Sequence, residues 1–340
     1  MRKLLNTLYV TTPDAYLSKD GLNIVVSVNQ AEVFRIPVLN IESIVTFGYM
    51  GVSPGLMRLC VENHVSLTFL TPQGRFISRV QGATKGNVFL RTKQYYFAGD
   101  KEFSLHLSKL FIGGKIQNYR NILRRFIRDN GSNVVVESVS MHLDLAKRRI
   151  FSANSIDELR GIEGEAASTY FSVFSQLILQ QRDKFPFRKR NKRPPRDAVN
   201  AMLSFVYTLI ANEMSSALES VGLDPYVGFL HVLRPGRASL AFDMMEELRA
   251  YLGDRLVLSL INRKQVTEKD FFSQGDESIL MTDSCRKILI SCWQSRKKEL
   301  ITHPYLGEKI PIGLLPYSQA MLMARYIRGE IDDYPVFLIQ

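Results

Sequence analysis

The sequence predicts an α+β chain, a small N-terminal β-rich domain followed by a larger, mainly α-helical domain. Up to about residue 82 the apolar residues come in short β-type runs broken by turn residues. Beyond Asn87 they recur at i, i+3 and i+4 over long stretches. Size agrees, since 340 residues at roughly 150 per domain leave room for two. We place the boundaries at 1–86, a β-rich domain, and 87–340, an α-helical domain.

In chain order, strands are predicted at Leu8–Thr12, Asn23–Val28, Val33–Val38, Ile44–Phe47, Ser66–Leu70 and Arg75–Val80. Asp20-Gly21 and Gln73-Gly74 supply the tight turns. One helix interrupts the strands, with Ser53 as N-cap, Pro54 at its first position and Leu56, Leu59 and Cys60 on its buried face. In the second domain, Phe103-Leu107-Leu110-Phe111 and Ile122-Leu123-Phe126-Ile127 give apolar helical faces. Gly99-Asp100 breaks and recaps the first two helices, and Gly131-Ser132 ends another before a Val134-Val135-Val136 run that suits helix or strand.

At 46% apolar and 23% charged residues, whole-chain disorder is excluded. No run reaches the roughly 18 apolar residues of a membrane span, so the expectation is a cytoplasmic protein with no membrane partner. Three cysteines without a CxxC pair exclude a disulfide framework or a cysteine zinc site. The net charge of +11 biases partners toward polyanions. Much of it lies in residues 182–196, where eight basic residues face one acid, a local +7. Pro186, Pro194 and Pro195 keep this stretch from helix, so it reads as an exposed, mobile basic loop. It is either a solvated linker or an arm that tracks phosphates.

Gly113-Gly114-Lys115 is followed by Ile116 and lacks the earlier glycine of a phosphate-binding loop, and no HExxH occurs. Of five histidines, His64, His106, His142 and His303 have ordinary structural explanations. His231 differs, because Gly222, Pro225 and Gly228 make a turn that delivers its imidazole near the next helix. On that helix Asp243, Glu246 and Glu247 flank the apolar stripe Leu240-Met244-Leu248. Read alone, this is more often a solvated acidic face with a capping histidine. Glu163 shares a face with Ala166, Ala167 and Tyr170, whereas Glu165 points about 200° away toward solvent. The small residues Gly164, Ala166 and Ala167 would let another helix approach, and a carboxylate at such a contact needs a cation or donors. Glu163, His231 and Glu246 together offer one nitrogen and two carboxylates, a set suited to Mg²⁺ or Mn²⁺. On a basic chain this points to phosphodiester chemistry.

The chain resembles the CRISPR-associated integrase and endonuclease family of spacer acquisition, the first-numbered proteins of the Cas set. Carrying the resemblance are Glu42-Ser43-Ile44-Val45 with Phe47-Gly48, Leu159-Arg160-Gly161-Ile162-Glu163-Gly164 with Ala167 and Tyr170-Phe171, and Asn200-Ala201-Met202-Leu203-Ser204-Phe205 with Tyr207. Gly222-Leu223-Asp224-Pro225 through Gly228-Phe229-Leu230-His231, then Ser239-Leu240-Ala241-Phe242-Asp243 and Glu246, carry it furthest. Gly329-Glu330-Ile331-Asp332-Asp333-Tyr334-Pro335 is similar to a type I-C-like subtype. Two departures stand out: Ala250 follows Arg249 where many relatives have proline, and Glu246 replaces the aspartate of some.

The resemblance implies metal ligands Glu163, His231 and Glu246, a supporting catalytic acid at Asp243, and Mg²⁺ or Mn²⁺ as cofactor. It implies joining of the 3′-hydroxyl ends of short protospacer duplexes to the CRISPR repeat by transesterification. Implied partners are double-stranded DNA of protospacer and repeat or leader, a second copy in a homodimer through the β domain, and the small ferredoxin-like second adaptation protein. Tyr170 and Tyr207, which match aromatic positions near the site, and Arg188, Lys189, Arg190, Lys192 and Arg193 of the basic loop are all candidate DNA contacts. A ligand histidine must be neutral, so activity should fall below a pH of about 6.5. Two other readings stay open: a stand-alone metal-dependent nuclease for branched DNA or RNA using the same residues hydrolytically, and a noncatalytic nucleic-acid scaffold.

Overall fold

The computed structural model describes residues 6–82, 87–192, 194–275 and 278–339. Its contacts divide the chain into two compact units. The first comprises Met1–Gly86 with Arg286–Glu299 and Pro311–Leu314, and the second comprises Asn87–Cys285, Leu300–Ile310 and Leu315–Gln340. The continuous 87–340 domain read from the sequence is therefore corrected: the apolar positions of 286–299, among them buried Trp293, pack with the first unit.

In that unit, β1 (Thr7–Val10), β5 (Ser43–Phe47), β7 (Ser66–Leu70) and β8 (Phe76–Val80) form one sheet in this order, parallel except for the last pair. A second sheet has the order β4 (Ala31–Pro37), β3 (Asn23–Val28), β2 (Tyr16–Asp20) and β6 (Gly51–Val52). The sequence reading missed β2 and β6. β2 buries a single residue and β6 spans two, so neither leaves a strong alternating pattern. Gly21 at φ 56° makes the β2–β3 turn as expected. Leu17, Ile24, Val26, Ile44, Leu67 and the Leu56 and Leu59 face of α1 (Pro54–Glu62) close one core between these elements. Gly51-Val52-Ser53-Pro54-Gly55 has the GxSxG spacing of a nucleophile elbow, but the Ser53 hydroxyl caps α1 by accepting from the Leu56 amide.

The second unit is built around α3 (Lys101–Asn130), about 45 Å long at 1.5 Å per residue. It follows α2 (Val88–Gly99) after Asp100, whose carboxylate accepts from the Glu102 and Phe103 amides. Against α3 pack α4 (Val134–Ser152), α5 (Ile156–Ser172) and α7 (Ser239–Leu248), while α6 (Ala198–Val221) packs on α7 and α10 (Leu315–Arg328). The three valines at 134–136 start α4, because Asn133 caps the Val135 and Val136 amides and only Val136 is buried. α7 runs into a wider π-type turn at Arg249–Asp254 before α8 (Arg255–Asn262). A hairpin of β9 (Phe271–Gln274) and β10 (Ser278–Met281) precedes α9 (Asp283–Lys297). Among the described residues no helix is long and apolar enough to cross a membrane.

Candidate active site

Asp243 organises the loop that carries His231. Its buried Oδ2 accepts from the amides of Phe229 at 2.7 Å and Leu230 at 3.0 Å, and its Oδ1 accepts from the His231 amide at 3.0 Å. The His231 ring adds a fourth donor, Nδ1, 2.6 Å from Oδ1. Gly228 permits this closeness, since a Cβ there would stand 2.5 Å from Oδ2 and 2.8 Å from the Leu240 amide nitrogen. With Nδ1 donating to the carboxylate, Nε2 presents the lone pair, the arrangement in which a carboxylate orients a ligand histidine.

Glu163 from α5 and Glu246 from α7 converge on one cation. Lys115 of α3 touches Glu163 Oε1 and lies 2.8 Å from Glu246 Oε2. Its side chain is 3% exposed, against 30% for Glu163 and 4% for Glu246. The approach to Oε2 misses hydrogen-bond alignment, so that buried oxygen has an ion pair but no hydrogen bond. Arg249 pairs with the other oxygen at 2.7 Å. Burial works to raise the Glu246 carboxyl, but Arg249, Lys115 and His231 override it and hold the group at about 2. Burial works against the Lys115 charge, and Glu246 and Glu163 restore it, leaving the ammonium above its ordinary range. Among the described residues, no three histidine, cysteine or carboxylate side chains converge on one point at ligand distances. Lys115 is the cation between the two carboxylates.

Sequence reasoning set Lys115 aside when it rejected a phosphate loop. The signal for it is a lone charge in the buried helical stripe Phe111-Lys115-Tyr119. Gly164 faces open space and so does not serve the close helix approach expected of it, because Glu163 meets α3 through its long side chain. Glu165 is exposed and pairs with Arg149.

Aromatic groups back the charged cluster. Tyr170 is fully buried and stacks on Tyr119 at 3.8 Å between centroids, so the DNA contact expected of it is corrected to a packing role. Tyr207 is half-buried, its hydroxyl donating to Asp254 Oδ1 at 2.5 Å and its ring flanked by Arg190 at 5.4 Å and Arg249 at 5.3 Å. Asp254 is buried, and burial pushes its carboxyl up to about 6 against the pull of Tyr207 and Tyr170. The Tyr170 hydroxyl and Asp254 Oδ2 nevertheless lack hydrogen-bond alignment with any group.

The basic loop is anchored rather than freely mobile, since Phe185 and Phe187 are buried. Arg190 is an anchor too, donating to Asn200 Oδ1 at 2.7 Å and Ser204 Oγ at 3.0 Å. Arg188, Lys189 and Lys192 remain exposed. Lys192 still reaches solvent, yet desolvation and then Arg249 push its ammonium down to about 8. Arg193 lies outside the described residues. A cavity of about 210 Å³ opens beside His231, lined also by Lys101, Ser104 and Arg160.

Comparison with known proteins agrees across the chain. A family model described as CRISPR associated protein Cas1 matches residues 8–295. A curated relative from Chlorobaculum tepidum, CRISPR-associated endonuclease Cas1 1, is 49% identical over 341 residues, covering 99% of each chain. Among solved structures, a casposase bound to integration product aligns with TM-score 0.84 and 21% identity over 97% of this chain and 92% of that one. A chain of a Cas6-RT-Cas1–Cas2 complex aligns with TM-score 0.84 and 19% identity, over 99% of this chain and 36% of that one. At these identities the structural matches show a shared fold.

Proposed function

Because the chain belongs to the Cas1 family of CRISPR-associated proteins, we propose that it is a divalent-metal-dependent DNA integrase and endonuclease of spacer acquisition. Its reaction joins the 3′-hydroxyl ends of short protospacer duplexes to the CRISPR repeat by transesterification. One observation carries the reading: carboxylates from two helices, Glu163 and Glu246, share a single buried cation, and His231, whose ring is oriented by Asp243, is near enough to act on the Glu246 charge.

These donors fit Mg²⁺ or Mn²⁺. The ammonium marks a cation seat, Glu246 Oε2 has no hydrogen bond to lose, and the His231 Nε2 lone pair is free of the Asp243 contact. Glu163, His231 and Glu246 would hold the ion, which supplies activation of the attacking oxygen and offsets charge on the phosphate. The protein's own part is electrostatic and positional. Arg249 keeps Glu246 ionised and aimed, and Asp243 fixes the imidazole tautomer. Exposed Arg188, Lys189 and Lys192, with Lys101 and Arg160 at the cavity, offer cations to a phosphate backbone.

The assembly proposed is a homodimer through the β-rich unit bridged by the small second adaptation protein. Exposed Val33 and Phe34 on the edge strand β4 support the first, and the Cas1–Cas2 composition of a structural neighbour supports the second. The proposed setting is the prokaryotic cytoplasm.

The test mixes the protein with that partner, a labelled duplex with 3′-hydroxyl ends and a supercoiled plasmid carrying the repeat array, with Mn²⁺ or Mg²⁺ and then with chelator. Expected is duplex joined at the repeat border, lost with chelator, with Glu163→Ala and with His231→Ala. Metal-dependent cutting without joining would overturn integration in favour of a hydrolytic nuclease. DNA binding with neither reaction would favour a scaffold.

A further inference from the structure

One segment is fastened to both helices that carry the Lys115–Glu246 pair. Residues 334–339 follow the Gly329–Asp333 stretch and lie along α3 and α7. On α7 the attachment is Glu247, the residue after Glu246: its Oε1 accepts from the Tyr334 hydroxyl at 2.5 Å and from Gln319 Nε2 at 3.0 Å. Its Oε2 accepts from the Phe337 amide at 2.6 Å. On α3 the attachment is Asn118, whose Nδ2 donates to the carbonyls of Glu247 at 2.7 Å and Phe337 at 2.8 Å. Asn118 Oδ1 accepts from the Ile339 amide at 2.8 Å. One carboxamide therefore ties α3, α7 and the segment together.

The seat is shaped by a residue beside Lys115. A Cβ on Gly114 would stand 2.1 Å from Val336 Cγ1, so Val336 occupies space that any other residue type on α3 would fill. Gly113-Gly114-Lys115 thereby acquires a physical meaning: Gly114 admits the segment and Lys115 bridges the carboxylates.

We propose that residues 334–339 are a positioning clamp for the candidate site, holding α3 and α7 in the register that sets Glu246 at the cation seat Lys115 marks. The segment touches α3 at Gly114 and Asn118, on either side of Lys115, and α7 at Glu247. It acts through these helices and not on reacting atoms. The inference rests on the proposed function only in taking that pair as part of the working site.

Gly114→Ala tests it, because alanine favours helix and so does not unfold α3 by itself. Expected in the full chain is loss of amide-exchange protection at Phe337 and Ile339, weaker Mn²⁺ binding, and a kcat lowered about tenfold to a hundredfold at unchanged KM for the duplex. Gly114→Ala combined with Val336→Ala removes the colliding methyl and should restore all three. Retained protection in Gly114→Ala would overturn the seat. Lost protection with wild-type kcat and Mn²⁺ binding would overturn the clamp, as would a double variant that regains protection but neither kcat nor Mn²⁺ binding. A wild-type protein with no joining or cutting would sink the proposed function instead, and exchange with Mn²⁺ titration would still judge the clamp.

Discussion

Helix α7 carries two adjacent buried glutamates in opposite surroundings. Glu246 meets the Lys115 and Arg249 cations, which outweigh burial and hold its carboxyl at about 2. Glu247 meets a hydroxyl, a carboxamide and a backbone amide, and burial pushes it up to about 7 in spite of them. Relative exposures of 3% and 0% make depth an inadequate explanation. Formal charge separates these two: the cations outweigh burial at Glu246, whereas the neutral donors at Glu247 do not. One face of α7 therefore keeps an anion, and the other uses the same residue type as a structural tie.

Breaking the charged face should give the largest effect. Glu246→Gln leaves Lys115 with Glu163 alone and Arg249 without its carboxylate, both cations remaining buried. Removing one partner of such a cluster costs about 3–5 kcal/mol, which urea unfolding at neutral pH would measure. A loss below about 1 kcal/mol would mean that the cations find solvent, and that the contrast across α7 is not built on buried charge.

A third carboxylate lies between the two extremes and gives the contrast a pH signature. Asp254 has the Tyr207 hydroxyl at hand and Arg190 and Arg249 acting at longer range, and burial leaves it at about 6 against an ordinary 3.8. A raised carboxyl contributes stability that is fully present below the unfolded value and lost as pH rises through the folded one. Between about pH 4 and pH 7 this group alone should remove about 2 kcal/mol from the wild type. Asp254→Asn has nothing to ionise there, so its stability relative to wild type should rise by that amount over the interval. Parallel stability curves for the two proteins would refute the assignment.

How much of this was legible follows from where each partner comes from. Local chemistry read well: Ser53, Asp100 and Gly131 punctuate helices as their types demand, and Asp20-Gly21 makes its turn. The His231–Asp243 pairing was half visible, because Gly222, Pro225 and Gly228 force a turn just before the helix that carries Asp243. Lys115 was not legible as a partner, since its carboxylates come from α5 and α7. Nor could Glu246 and Glu247 be told apart on an acidic helix face. Their difference is set by Lys115 and Arg249 on one side, and on the other by Gln319, Tyr334 and Phe337, far along the chain.

The smallest effect should come from the neutral face. Glu247→Gln preserves shape, and its carbonyl can still accept from the Tyr334 hydroxyl and Gln319. Its amide then turns toward the Phe337 backbone N–H, so one hydrogen bond is lost between two donors. No cation is stranded, because none lies among the groups bonded to this carboxylate. The cost is that of a single buried hydrogen bond, about 1–2 kcal/mol, against the about 3–5 kcal/mol of Glu246→Gln one residue away. Unfolding both variants under identical conditions measures the difference directly. Equal losses would show that depth governs both positions, and the division of α7 into an ionised and a neutral face would fail.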